Sequence, residues 1–363
     1  MLSTRRSFLG TGVLGPVFLA AATGAPAPRK RKLLILGGTR FLGPALIEAA
    51  TAAGHEITLF NRGKTDPHRF KHLEQRIGDR DTGDLASLKT GTWDCVIDNS
   101  GYAPSHVQAA AELLRERVQQ YLFVSTISVY ADTSAALVSE DTKVATVTDE
   151  VAAQATTIRE ASRYYGAMKA RCEQAAEKAM PGRVAHVRPG LIVGPEDNSD
   201  RFTYWPVRVK RGGEVLAPGD PDREVQFIDV RDLGAWCVRL AETGKCGTWN
   251  AVGLPVRFSL QELLHACKAA ENADARFTWV SEEFLVEHKV RAYTEMPLWL
   301  PRAQRGHIDN ARARKDGLTF RAVADTIRAT LDWFATEPAE RKLRAGLTAE
   351  REQELLAAWA KRK

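Results

Sequence analysis

From residue 32 to about residue 194 the chain repeats one pattern: a short apolar run, then a longer stretch whose apolar positions recur every three or four residues. The runs KLLILG (32–37), EITLFN (56–61), QRIGD (75–79), DCVIDNS (94–100), YLFVST (121–126) and RVAHVRP (183–189) read as strands. FLGPALIEAATAAGH (41–55), PSHVQAAAELLRERV (104–118) and YYGAMKARCEQAAEKAM (164–180) read as helices between them. Strands separated by helices demand right-handed crossovers and a parallel sheet covered on both faces. The predicted fold class is therefore α/β, with a doubly wound parallel sheet over residues 32–194.

Beyond residue 194 the pattern changes. RFTYWPVRVKRGGEVLAPGDPDREVQFIDVRDLGAW (201–236) is rich in aromatics, Gly and Pro before it returns to a helix at Asp232, and 259–338 mixes helical runs with loops such as YTEMPLWLPRAQRG (293–306). Residues 195–224 and 254–345 are expected to form a smaller α+β substrate cap over the open end of the sheet, with 225–253 returning to the first domain. The tail, 346–363, reads as an amphipathic helix with Leu355, Leu356 and Trp359 on one side. No internal repeat or low-complexity tract interrupts this plan.

Charge changes the picture only once it is located. The net +6 would suit a nucleic-acid partner, but nine of the 51 Lys and Arg lie in residues 1–32 and 361–363, where there is no acid. Residues 33–360 keep 42 Lys and Arg against 45 Asp and Glu, a net of −3. That balance disfavours a broad phosphate-binding face. Cys95, Cys172, Cys237, Cys246 and Cys267 are scattered without the close pairs of a zinc site, so free thiols and no metal are expected.

The first 27 residues carry a different message. Arg5 and Arg6 precede Phe8 and Leu9, the stretch from Phe8 to Ala22 is mildly apolar, and ATGAPAP offers a processing site near Ala25 or Ala27. This resembles a twin-arginine export signal. The apolar stretch is too short and Gly-rich for a membrane span, so no integral span is expected after processing. The alternative is a basic tail on a cytoplasmic protein.

The chemistry sits at the ends of the strands. In LLILGGTRFLG, Gly37 and Gly38 let the backbone approach a pyrophosphate, the helix N-terminus meets its charge, and Gly43 lets helix and strand come close. Asn61 ends the second strand where dinucleotide folds often carry an acid for the ribose; with Arg62 and Lys64 beside it, the site tolerates the extra phosphate of NADP. A solvated turn explains the same residues. Asp79 after the third strand suits an adenine amino group or a backbone cap. In RYYGAMKARCEQ, Tyr165 and Lys169 lie four apart on one helix face, where an ammonium is expected to draw the phenol down from its usual ~10. Hydroxyls at Ser125, Thr126 and Ser128 end the fifth strand and face the same crevice.

Together these motifs resemble the extended short-chain dehydrogenases/reductases, the NAD-dependent epimerase/dehydratase family, from about Leu33 to Glu242 through GGTRFLG, GDRD, STISVYA, YGAMK, RPGLIVGPED and QFIDVRDL. The resemblance implies a Rossmann-type domain in which Tyr165 is the catalytic acid/base, Lys169 lowers its pKa and holds the nicotinamide ribose, and Thr126 meets the substrate hydroxyl. It places Gly37, Gly38, Thr39, Arg40, Phe41, Leu42, Gly43 and Asp79 at cofactor positions, and Pro189 at the border of the nicotinamide. Three departures matter. Arg40 replaces the family's usual middle glycine. Ile127 and Ser128 follow Thr126 in place of an Asp-Glu pair, which disfavours a sugar-nucleotide dehydratase. Val225 stands where nucleotide-sugar enzymes often carry an arginine, which favours a substrate without a nucleoside diphosphate.

A dinucleotide enzyme sent out of the cytoplasm has no pool from which to replace a spent cofactor. The expected function is an exported, periplasmic or envelope NAD(P)-dependent epimerase or oxidoreductase. It folds around one tightly held NAD or NADP, passes through the twin-arginine machinery, and works on a small sugar-like molecule through a keto intermediate. Tyr204, Trp205, Arg208, Trp299 and His307 in the cap suit stacking and hydrogen bonding to such a ligand, or simple core packing. The sequence is compatible with a homodimer and does not fix the oligomeric state. The rivals are a cytoplasmic NADP-linked reductase and a non-catalytic RNA-binding member, since chloroplast RNA-binding relatives share a GGTRF-like turn.

Overall fold

The computed structural model describes residues 29–301 and 306–362. The expected export signal, Arg5 and Arg6 included, lies outside them. The first half contains β1 (Lys32–Leu36), α1 (Leu42–Ala52), β2 (Glu56–Asn61), β3 (Glu74–Ile77), β4 (Trp93–Asp98), α2 (Pro104–Leu114) and β5 (Val118–Val124). There follow β6 (Leu137–Val138), α3 (Asp149–Gln154), α4 (Ile158–Ala161), α5 (Tyr165–Ala179), β7 (Val184–Pro189), β8 (Leu191–Val193), α6 (Tyr204–Lys210), β9 (Gly213–Pro218), β10 (Phe227–Asp229), α7 (Val230–Thr243) and β11 (Gly247–Ala251). The chain closes with α8 (Leu260–Glu271), β12 (Ala275–Val280), α9 (Glu282–Glu287), β13 (His307–Ile308), α10 (Ala311–Lys315), α11 (Val323–Thr336) and α12 (Ala349–Ala360).

Seven strands form one parallel sheet in the order β11-β7-β5-β4-β1-β2-β3. The reason β1 is apolar throughout is visible in its alternation. Leu33 and Ile35 face one core with α1 and α7; Leu34 and Leu36 face the other with α2 and α5. All six strands read from the sequence belong to this sheet, and β11 adds a seventh beside β7. The doubly wound α/β fold expected from the alternating pattern is the one observed.

A further apolar core, built on Phe202, Trp205, Leu216, Phe227, Leu263, Phe284 and Trp299, belongs to the cap. There β9 and β12 pair in parallel, α6 and α8 lie together, and α12 turns Leu355, Leu356 and Trp359 toward the same core. All five cysteines are free thiols. Among the described residues, no helix is long and apolar enough to cross a membrane, and no cluster of three or more His, Cys, Asp or Glu could hold a metal.

Candidate active site

The strand order reverses at β1, with β2 on one side and β4 on the other, and ligands in open α/β sheets lie outside the carboxyl ends of strands at such a point. Here a cavity of about 650 Å³ opens. Its floor is the turn after β1, where Gly37 and Gly38 take φ of +108° and +98°. A Cβ on Gly37 would overlap Asn99 Oδ1, and one on Gly43 would overlap the Gly38 backbone. No side chain caps α1; the Gly43 N–H donates to the Arg40 carbonyl at 2.9 Å and Pro44 has none, so of its first three positions Leu42 offers its N–H to an anion. At Gly37, Thr39 and Ser100 the cavity continues into a smaller pocket of about 150 Å³ lined by Phe60, Asn61, Arg62, Asp79, Arg80 and His106. A glycine cradle, an uncapped helix and a two-lobed groove fit a dinucleotide.

The larger lobe gathers Gly37, Gly38, Thr39, Arg40, Phe41, Leu42, Thr126, Tyr165, Lys169 and Pro189. The smaller one holds Asn61, Arg62 and Asp79, while Gly43 lies beneath the turn. Asn61 partly serves its own turn, accepting from the Gly63 N–H at 2.7 Å, and Arg62 and Lys64 each approach a carboxylate, Asp81 at 3.9 Å and Asp79 at 4.0 Å.

Tyr165 opens α5, and Gly166 explains how it comes so near β5. A Cβ at Gly166 would overlap the Ser128 carbonyl oxygen, so only glycine lets the helix settle on the turn that carries Thr126. Thr126 is buried and accepts from the Ser128 N–H at 3.1 Å. Lys169, 3% exposed, donates to the Gly101 and Val124 carbonyls at 2.8 and 2.6 Å and lies 4.1 Å from the Phe123 ring centroid. Loss of water around this amine pushes its pKa down to about 8.

One expectation needs correction here. Tyr165 is 37% exposed, yet the phenol is raised above its ordinary value, first by desolvation and then by the Tyr102 phenol, whose ring centroid is 6.4 Å away. The groups that favour its phenolate are Thr126, by hydrogen bonding, and Arg201, by charge. The Lys169 ammonium, which four-residue spacing suggested would lower Tyr165, is instead turned onto two backbone carbonyls.

The wall behind the cavity is a buried ion pair. Asp98, at the end of β4, accepts from Arg80 at 2.7 and 2.8 Å and from the Tyr121 hydroxyl at 2.6 Å. Burial alone would raise this carboxyl, but the Arg80 charge and hydrogen bonds hold it below the usual range. Arg80 also donates to Ser100 Oγ and the His106 carbonyl, joining the two lobes.

Several lining residues have no role in the motif reading: Asn99, Ser100, Tyr102, Ser199, Arg201, Tyr293 and Leu300, and Asp197 figures there only as the end of RPGLIVGPED. Asn99 and Ser100 follow a strand directly and were within reach of the rule that strand ends face the ligand. The others arrive on distant loops.

The suggested ligand residues of the cap fare differently. Tyr204, Trp205 and Trp299 are buried in the cap core, and Trp205 Nε1 donates to the Pro297 carbonyl at 3.0 Å. Arg208 is held by Glu352 at 2.6 Å. None of the four lines the cavity; Tyr204 and Trp205 are drawn inward because α6 packs its aromatic face on the cap core with α8. His307 lies in a separate cavity of about 470 Å³ with Arg223 and Arg257, hydrogen-bonded to Glu224 at 3.0 Å.

The model of the NAD dependent epimerase/dehydratase family matches residues 33–251. A curated relative, the chloroplast stem-loop binding protein of 41 kDa b of Arabidopsis thaliana, is 26% identical over 222 residues, 57% of this chain and 54% of that protein. The chain thus spans about half the length of the curated relative it matches. Among solved structures, UDP-N-acetylglucosamine 4-epimerase from Bacillus cereus aligns over 84% of this chain and 100% of its own, with a TM-score of 0.61 and 17% identity. The Bordetella bronchiseptica enzyme WbmG, crystallised with NAD and UDP, aligns over 85% of this chain and 96% of its own, with a TM-score of 0.62 and 16% identity. At these identities the two structures establish a shared fold.

Proposed function

Because the chain belongs to the NAD dependent epimerase/dehydratase family, we propose that it is an enzyme acting on a hydroxyl or carbonyl group of a small sugar-like substrate. The reaction passes through a transient ketone and ends with its single, retained NAD or NADP in the state in which it began. A bound dinucleotide supplies the hydride acceptor and donor. The turn from Gly37 to Leu42 and the N-terminus of α1 would hold its pyrophosphate, Asn61, Arg62 and Asp79 its adenosine end, and Lys169 and Pro189 its nicotinamide end. Thr126 orients the substrate hydroxyl; the Tyr165 phenolate takes its proton as the carbonyl forms, and the resulting phenol gives it back as the carbonyl is reduced. Burial favours the protonated form, needed as an acid, while Thr126 and Arg201 favour the phenolate, needed as a base.

The observation that carries this reading is that one cavity holds the glycine turn, Thr126, Tyr165 and Lys169 together. Buried Val225, in place of an arginine for a diphosphate, supports a substrate without a nucleotide. Export in the folded, cofactor-loaded state belongs to the same proposal and accounts for a redox-neutral cycle. Native mass spectrometry of the purified protein is expected to find one dinucleotide per chain after gel filtration; protein that emerges empty and binds NAD and NADP only weakly contradicts a retained cofactor.

One observation favours a second reading, a non-catalytic RNA-binding protein: the similarity to the chloroplast stem-loop binding protein. The net −3 of residues 33–360 weighs against it. Stem-loop RNA retardation that weakens steeply between 50 and 200 mM salt would favour that reading.

A further inference from the structure

The segment after β8 is held in an unusual backbone path. Gly194, Glu196 and Asp200 all have positive φ, of +118°, +66° and +56°, and two of the three are not glycine. Such strain persists only where the surroundings over-determine it, and it collects at ligand sites. Here the surroundings are ion pairs at both ends. Glu196 accepts from Arg69 at 2.8 and 2.6 Å, and Asp200, fully buried, accepts from Arg341 at 2.8 Å and from the Arg344 N–H at 2.9 Å. Asp197 and Ser199, between these pins, and Arg201, just past the second, line the cavity.

Their internal bonds aim the last of them. Asp197 Oδ1 accepts from both the N–H and the hydroxyl of Ser199, at 2.8 and 2.6 Å. Ser199 Oγ in turn accepts from Arg201 Nε at 3.1 Å, and the Arg201 guanidinium carbon lies 5.2 Å from the Tyr293 ring centroid. Among the described residues no carboxylate pairs with Arg201 within 4.0 Å, and its two terminal nitrogens make no hydrogen bond, although the group is half-buried beside the reacting phenol. Of the other cations in the cavity, Lys169 is committed to carbonyls and Arg40 belongs to the glycine turn.

We propose that Arg201 is the anchor for a carboxylate on the substrate, so that the enzyme acts on a hydroxy acid such as a sugar acid rather than on a neutral sugar. The proposal rests on the dinucleotide-enzyme reading of the cavity. A planar guanidinium with its Nε already occupied offers its two terminal nitrogens as a fork, which matches the two oxygens of one carboxylate. A phosphate ester with two charges would call for a second cation beside the first, and among the described residues the other cations of this cavity are Lys169, held by two carbonyls, and Arg40, on the glycine turn. The Arg201 charge also reaches Tyr165, where it favours the phenolate.

The test is calorimetric titration of NAD-loaded protein at constant ionic strength with D-glucuronate, D-glucose and D-glucose 6-phosphate. The acid is expected to bind about 10- to 100-fold more tightly than glucose. Arg201→Gln should abolish that preference and Arg201→Lys should keep part of it, with NAD affinity unchanged in both. Equal binding of acid and neutral sugar, or a preference that survives in Arg201→Gln, overturns the proposal, and tighter binding of the phosphate overturns the assignment to a carboxylate. Loss of NAD binding in the wild-type chain would count against the dinucleotide reading instead.

Discussion

Lys169 is an amine placed where water is excluded, and its titration has a consequence for stability. In the folded chain it is pushed down to about 8, against an ordinary value of 10.5. Below pH 8 it is charged in both folded and unfolded chains, and its burial penalises the fold by the full difference, on the order of a few kcal/mol. Between pH 8 and about 10.5 the unfolded chain binds more protons, so this contribution makes stability rise with pH. Above that range the amine is neutral in both states and the penalty is gone. Lys169→Met is therefore expected to raise the urea midpoint of the cofactor-free protein at pH 7 and to flatten its rise between pH 8 and 10.5. An unchanged pH profile would show that the two carbonyl hydrogen bonds already offset the burial.

At the scale of elements, the approach of α5 to the turn after β5 sets the reacting geometry, and Gly166 sets that approach. Gly166→Val is expected to push the helix away from Ser128, lowering stability by about 1–3 kcal/mol in urea unfolding and reducing turnover more than NAD affinity. The strands of the sheet were legible because their signal is local: continuous apolar runs such as 33–36, buried on both faces, need no knowledge of the rest of the chain. The glycine turn, Thr126, Tyr165 and Lys169 were legible for the same reason, each being fixed by position along one strand or helix. The cap was not. The aromatic run at Tyr204 and Trp205 reads equally as a ligand face or a core face, and what decides is α8, about 60 residues on. Arg208 finds its partner Glu352 at 144 positions' separation, and Arg201 meets Tyr293 only through tertiary folding. Such pairings leave no trace in spacing.

At the scale of the molecule, the sheet with its two cores is tied to the core of the cap. Arg69 of the sheet half holds Glu196, and Asp229 accepts from Thr326 at 2.7 Å while Arg321 holds Asp232 at 2.8 Å. The proposal of twin-arginine export concerns a protein that crosses the membrane already folded. Arg5→Lys with Arg6→Lys is expected to leave cofactor-loaded protein in the cytoplasm, measured by fractionation; unchanged export would remove that part of the account. The central claim is chemical, that Tyr165 moves the substrate proton beside a bound nicotinamide. Its most direct test follows absorbance at 340 nm in dinucleotide-loaded protein mixed with sugars and sugar acids, and then repeats the responding case with Tyr165→Phe. The account predicts the same dinucleotide content and a rate lower by about 10²- to 10⁴-fold; a Tyr165→Phe protein that reacts as fast as the wild type would contradict it.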